Sequence, residues 1–202
     1  MTPDAAPGAD RDALVRLLDD PTSFLSHDDA ATRRLAVSVC VAQGLSEHAV
    51  SIVGGLAVGD PDGAVRAAAV EALGAMSEAF AAVLEEARWD EDARVVEAVA
   101  TAYGELSIAD AVPWLIEVAT SDADRASREA AVAALGAIGD DAAVPVLLEL
   151  VAAAPPQVRR RAVVALTVFD SPEIEPAIRA AAKDRNPSVR EAAEMIVGRD
   201  PS

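Results

Sequence analysis

The phrase Val65-Arg66-x-x-Ala69, with Leu73 four residues further on, returns along this chain at intervals close to thirty-one residues. The matches are Thr32-Arg33-x-x-Ala36, Val65-Arg66-x-x-Ala69, Val95-Val96-x-x-Val99, Ser127-Arg128-x-x-Ala131, Val158-Arg159-x-x-Ala162 and Val189-Arg190-x-x-Ala193, so the steps are 33, 30, 32, 31 and 31. A period of this length repeats one supersecondary unit. A unit so small cannot bury its apolar face alone, so successive units must stack on one another.

The anatomy of the unit is clearest from Ile108 to Gly139 and is nearly copied from Asp140 to Asp170. Both open with Ala-Val-Pro, at Ala111-Val112-Pro113 and Ala143-Val144-Pro145. Proline is accepted in the first turn of a helix, where its missing N–H has no intrahelical acceptor to lose. Each therefore starts a first helix, A, with Val112, Leu115, Ile116 and Ala119 on one stripe and Val144, Leu147, Leu148 and Val151 on the next. An acidic turn follows, then a second helix, B, with Ser127, Ala131, Ala134, Leu135 and Ile138 inward, and Gly136 and Gly139 help to close the unit. The same pattern predicts A helices near 45–58, 77–88 and 172–183. It predicts B helices near 30–42, 64–76, 91–105, 124–138, 157–168 and 187–197, and a first irregular helix near 10–18. Connections of a few residues force antiparallel neighbours. The expected fold is all-α, a right-handed α-solenoid of about six helical hairpins. Residues 10–198 form the solenoid, with a flexible tail over 1–9 and a short one over 199–202.

The succession Ala-Val-Pro-x-Leu-Ile-x-Leu/Val, acidic turn, Val-Arg-x-x-Ala-x-x-Ala-Leu-Gly resembles the HEAT-like repeats of the phycobilisome-lyase type, over about residues 25–198. The resemblance implies a stacked scaffold and, in similar repeat proteins, an Asp–Arg ladder joining neighbouring units. It implies two further functional readings beside a plain scaffold. One is a lyase-like or chaperone-like factor for a tetrapyrrole-bearing protein, although no residue specific for a chromophore is identifiable. The other is an adaptor in an archaeal taxis or signalling complex.

A net charge of −17 and a pI near 4.3 argue against nucleic acid and anionic membranes as partners, since both demand clustered Lys and Arg. Lys183 is the one lysine among 17 basic residues. High genomic GC content explains lost lysine but not so much Asp and Glu. An acidic surface suits a salt-rich cytoplasm, where at 1 M the Debye length falls to about 3 Å and self-repulsion is screened. A halophilic archaeon is the expected source, with a high-GC actinobacterium as the alternative and an ordinary acidic protein as a third reading. The start, rich in Pro, Ala and Asp, lacks the apolar run of a signal peptide, and no stretch is long enough to span a membrane, so a cytoplasmic location is expected.

Asp60, Asp90, Asp122 and Asp184 each stand five residues before a Val-Arg position, while His27 and Ala153 take that place in the first and fifth units. An aspartate at such a turn can accept N–H groups at the start of helix B. Paired with Arg66, Arg128, Arg159 and Arg190, these residues read as a structural ladder rather than a row of catalytic acids, because the same pair recurs in unit after unit. The breaks are Val96 in the arginine place of unit three, with Arg94 displaced, and Ala152-Ala153-Ala154-Pro155-Pro156 in place of an acidic turn. Looser stacking, a change of curvature, or a partner-shaped groove is expected there.

Nothing in the chain assembles into an enzyme. His27 and His48 belong to no His-Glu dipeptide, which helical-repeat hydroxylases with a di-iron centre carry several times, and no third imidazole is present. Gly54-Gly55 lies inside an apolar helix rather than in a phosphate loop. Cys40 takes the place of Leu73 and reads as a small buried hydrophobe. No catalytic residue, metal or cofactor is expected, and a small-molecule ligand is disfavoured. The function read from the chain is a non-enzymatic scaffold or adaptor that binds a protein along the concave face lined by the B helices. Reading that face along the stack, Glu97 and Glu129 make its middle acidic, while Arg160, Val164, Val168 and Met195 make its C-terminal part mixed and apolar. These six are the candidate partner-binding residues; the alternative is that the last unit packs over the apolar ones as a cap. Trp89 and Trp114 are expected to be partly exposed on the outer side or buried against Arg or Leu.

Overall fold

Helix starts in this chain are written in short polar side chains. Asp29, Asp62, Asp92, Asp124 and Asn186 each accept an N–H from the first turn of the B helix that follows, a contact worth about 1 kcal/mol. The fifth B helix has no side-chain cap and begins instead on Pro155-Pro156, where proline suits the first turn. The computed structural model describes residues 7–76, 80–121 and 124–198, without the side chains of residues 7–10.

The A helices are α1 (Pro7–Asp19), α3 (Glu47–Gly59), α5 (Ala81–Ala87), α7 (Val112–Thr120), α9 (Val144–Ala153) and α11 (Ile174–Ala181). Alternating with them, the B helices are α2 (Ala30–Gln43), α4 (Gly63–Gly74), α6 (Ala93–Glu105), α8 (Arg125–Ile138), α10 (Pro156–Ala165) and α12 (Pro187–Val197). Short 3-10 turns precede α7 and α9, so Pro113 and Pro145 fall at the second helical residue. Each B helix packs on the next, α2 on α4 through to α10 on α12, while α3 packs on α5, α7 on α9 and α9 on α11. The result is a two-layer all-α solenoid, and among the described residues there is no strand.

The core follows the beat. The Leu73 position is filled by Cys40, Leu73, Tyr103, Leu135 and Leu166, all buried, and each large apolar one removes side-chain area worth roughly 1.5–3 kcal/mol. Cys40 packs as its place in the repeat predicts, and burial pushes its thiol pKa up. Tyr103 brings a hydroxyl into this row, and that hydroxyl donates to Glu85 Oε1 at 3.1 Å.

Several local expectations are corrected. Helix α1 begins at Pro7, so residues 7–9 belong to it rather than to a tail; residues 1–6 and 199–202 lie outside the described part. The fifth B helix ends at Ala165 and tightens to a 3-10 turn over Leu166–Val168. The third A helix is short, and residues 77–79 lie outside the described part. Gly139 does close its unit, in the left-handed region at φ 71°, but Gly136 lies inside α8 for another reason. A methyl group on Gly136 would sit 2.9 Å from Ala165 Cβ, and one on Gly104 would sit 2.8 Å from Ala134 Cα. These glycines let successive B helices touch backbone to backbone. The α6–α8 junction, where looser stacking was expected at Val96, is therefore closely packed.

Candidate partner-binding surface

The ladder arginines divide their donors between two units. Arg66 Nη1 donates to its own turn, at the Asp60 carbonyl (2.8 Å), while Nε and Nη2 reach both carboxylate oxygens of Asp90 in the next unit, at 2.6 and 2.7 Å. Arg33 does the same with the carbonyls of His27 and Asp28 and the carboxylate of Asp60. Arg159 uses the Ala154 carbonyl and the carboxylate of Asp184. The own-unit contact goes to backbone, so His27 and Ala153 can replace aspartate there without releasing the arginine. What Ala153 does remove is the acceptor for the preceding unit: Arg128 makes its bond from Nε to the Ala119 carbonyl, at 3.1 Å. Asp122, in the turn that unit three would address, lies outside the described residues. At that junction Ser127 Oγ donates to the Ala93 carbonyl instead, at 3.0 Å, and Arg94 is spent on Asp92 of its own turn.

The aspartates of the ladder are not the helix caps. Asp60, Asp90 and Asp184 accept the N–H of the capping residue two places on, Asp62, Asp92 and Asn186. Each thus orients the turn with one oxygen and holds the neighbouring arginine with both.

The partners of these carboxyls favour their ionised form. Burial pushes Asp60 up, but its bonds to Arg33 and to the Asp62 N–H outweigh this and hold it below the ordinary 3.8. Arg66 lowers Asp90, Arg159 lowers Asp184, and Arg94 brings Asp92 down to about 2. A depressed carboxyl stabilises the fold fully above its unfolded value near 3.8 and loses that contribution as pH falls through the folded value. Glu71 runs the other way. Partial desolvation beside α6, together with the charges of Glu97 and Glu105, raises it above 4.5, so ionised Glu71 opposes folding, weakly because the residue stays exposed and solvent screens it, and is relieved as pH falls through its raised value. Thermal unfolding followed from pH 7 to 2 is expected to show Tm rising slightly on approach to Glu71's range, then falling below about 3.8. In 1 M salt the rise is expected to shrink, because the repulsion is screened.

Glu71, Glu97 and Glu105 surround a groove between α4 and α6, with Ala75, Thr101 and Ala102 among its other residues. A larger groove of about 470 Å³ follows between α6 and α8, where Glu97, Glu105 and Glu129 stand around an alanine-rich floor beside Arg125 and Arg161. Glu97 is exposed and Glu129 half-buried, paired with Arg125 at 3.5 Å. Further along the same layer Arg160 is exposed, and Val164, Val168 and Met195 are 45%, 61% and 80% exposed, so the last unit does not cover them. Ala67, which the repeat register places at the position of Glu97, Glu129 and Arg160 and so on the same face, is buried. Trp114 is also buried, edge-on to Tyr103 at 5.6 Å, whereas Trp89 is 67% exposed with the Arg88 guanidinium 5.0 Å from its ring centre. The sequence had no means to separate the two tryptophans, since only the contact with Tyr103 does so.

His27 and His48 are both exposed, and His27 stacks on Phe24. Among the described residues no three His, Cys, Asp or Glu side chains gather as metal ligands, and no helix is long and apolar enough to cross a membrane.

A family model of HEAT repeats matches residues 18–104, 81–166 and 144–199. No curated protein matches the sequence. Among solved structures, the Escherichia coli protein YibA superposes with a TM-score of 0.63 at 19% identity, over 96% of this chain and 75% of its own. An engineered protein superposes with a TM-score of 0.60 at 18% identity, over 88% and 93%. At such identities the likeness is one of fold. Human deoxyhypusine hydroxylase in complex with glycerol aligns at 20% identity over 96% and 91%, but its TM-score of 0.43 carries no argument.

Proposed function

The chain belongs to the HEAT-repeat family, and from that premise we propose that it is a non-enzymatic scaffold or adaptor holding a protein partner along its B-helix face. The observation that carries this reading is the row of exposed apolar side chains Val164, Val168 and Met195 beside Arg160, on the same layer as the acidic grooves. Clustered exposed apolar residues favour a contact surface, and a mixed rim gives it specificity. The occupant is an extended segment or helix with an apolar stretch over Val164 and Val168 and basic residues toward Glu97 and Glu129. The ladder residues support the surface and do not contact the partner.

The test is a photo-crosslinking residue at Val164, with a second protein carrying it at Glu175, an exposed position of α11. Adducts formed in native cells at Val164 and not at Glu175 support the placement. Changing Val164 to Asp and Arg160 to Ala together is expected to leave the helical circular dichroism intact, with stability within about 0.5 kcal/mol, while the adduct at Val168 disappears. An undiminished Val168 adduct overturns it. The resemblance to phycobilisome lyases supplies the finer alternative, a factor for a tetrapyrrole-bearing protein. Absorbance above about 350 nm appearing when bilin is added would favour it, through the ligand's own conjugated chromophore. An archaeal taxis adaptor remains a narrower form of the scaffold reading, to be decided by which partner the crosslink brings down.

A further inference from the structure

Successive hairpins are joined in three ways: B helix on B helix, A helix on A helix, and arginine to aspartate from turn to turn. The first, second and fifth junctions have their rung, Arg33 to Asp60, Arg66 to Asp90 and Arg159 to Asp184. The fourth has none, because Ala153 offers Arg128 no carboxylate, but there α7 packs on α9 and on the turn that opens it. Among the described residues, the third junction, between the hairpins α5–α6 and α7–α8, lacks both. Val96 stands where a rung arginine would, and α5, with seven residues, does not pack on α7 as α7 packs on α9.

What joins the arms at this junction lies in the B layer and just beneath it. Gly104 of α6 approaches α8 so closely that a methyl group on it would fall 2.8 Å from the Ala134 Cα. Ser127 Oγ adds one bond to the Ala93 carbonyl, and Trp114 of α7 rests edge-on against Tyr103 of α6, with ring centres 5.6 Å apart. A single hydroxyl bond and an aromatic contact constrain orientation less than a two-pronged guanidinium–carboxylate pair, which fixes both a distance and a plane. Packed helices slide and turn on one another at such contacts. Gly104 and Ala134 also belong to the floor of the 470 Å³ groove between α6 and α8. Their contact therefore lies between the groove on one side and the unjoined α5 and α7 on the other, and rotation about it widens one as it narrows the other.

We propose that the third junction is a hinge: hairpins one to three and hairpins four to six turn as two arms about the Gly104–Ala134 contact, and their angle sets the width of the α6–α8 groove. The groove belongs to the proposed partner surface, but the hinge is tested with no partner present, so either reading can fail alone.

The test is the distribution of distances between pairs of spin labels on the full chain, with Cys40→Ala so that only introduced cysteines react. Ser51 on α3 and Glu117 on α7 span the third junction, whereas Glu117 and Glu175 on α11 span the same number of A-helix steps without it; all three positions are exposed. The first distribution is expected to be about twice as broad as the second, since rotation between arms exceeds motion within one. On the groove side, Glu71 on α4 and Ala137 on α8 span the hinge, and Ala137 with Met195 on α12 is the matched control; these positions too are exposed. The same broadening is expected there. Equal widths for the spanning and control pairs, on either side, would overturn the proposal.

Discussion

Replacing Asp184 by alanine is expected to lower stability by about 2–4 kcal/mol. The reason lies in Arg159, whose side chain is 6% exposed and whose Nε and Nη2 lose both carboxylate oxygens at once. Removing one partner of a fully buried pair costs roughly 3–5 kcal/mol, because the other charge stays desolvated. The Asp184 side chain is 14% exposed, and water reaching that side screens part of the loss. For a chain of this size the change corresponds to about 4–16 °C in Tm. Urea unfolding checks the free energy, and the slope should stay unchanged if only the folded state is affected. The double change Arg159→Met with Asp184→Leu is expected to recover much of the loss, since apolar residues of similar volume replace a buried ion pair nearly neutrally. A double variant as unstable as the single one would mean that the turn itself, through the lost Asn186 N–H contact, accounts for the effect.

Gly104→Ala is expected to cost about 1–3 kcal/mol, although alanine is the better helix former. The added carbon would lie 2.8 Å from Ala134 Cα and 2.9 Å from its Cβ, and the first of these atoms is helix backbone. Relief requires moving α6 away from α8, not rotating a side chain. Gly55→Ala is the control. It lies in helix α3 with nothing within 4 Å of the new carbon, so the same substitution is expected to stabilise by about 0.5–1 kcal/mol. Chemical denaturation of the two variants side by side separates contact from propensity: destabilisation by both, or by neither, would remove the close-approach argument.

The two glycines look alike along the chain. Both sit inside helical patterns, and periodicity marks neither as a contact point, because the atoms that decide belong to a helix about thirty residues away. The ladder was legible in residue type but not in wiring. Asp60 could be placed at a turn, yet its apparent role as a cap belongs to Asp62, because a cap is fixed by the helix start to within one residue. The candidate surface was legible in which B-helix positions point away from their own hairpin. It was less so where burial depends on a neighbour, as Ala67 and Trp114 show.

The thirty-one-residue period determined by itself that the chain stacks helical hairpins, where its turns fall, and which residues form the buried row from Cys40 to Leu166. That information is local: helix period, cap and proline preferences act within a few residues. Tertiary structure alone decided which unit each arginine reaches, that α6 and α8 touch at Gly104, and that Val164, Val168 and Met195 are left uncovered. Those outcomes depend on atoms of other units, brought within bonding distance only when the layers pack.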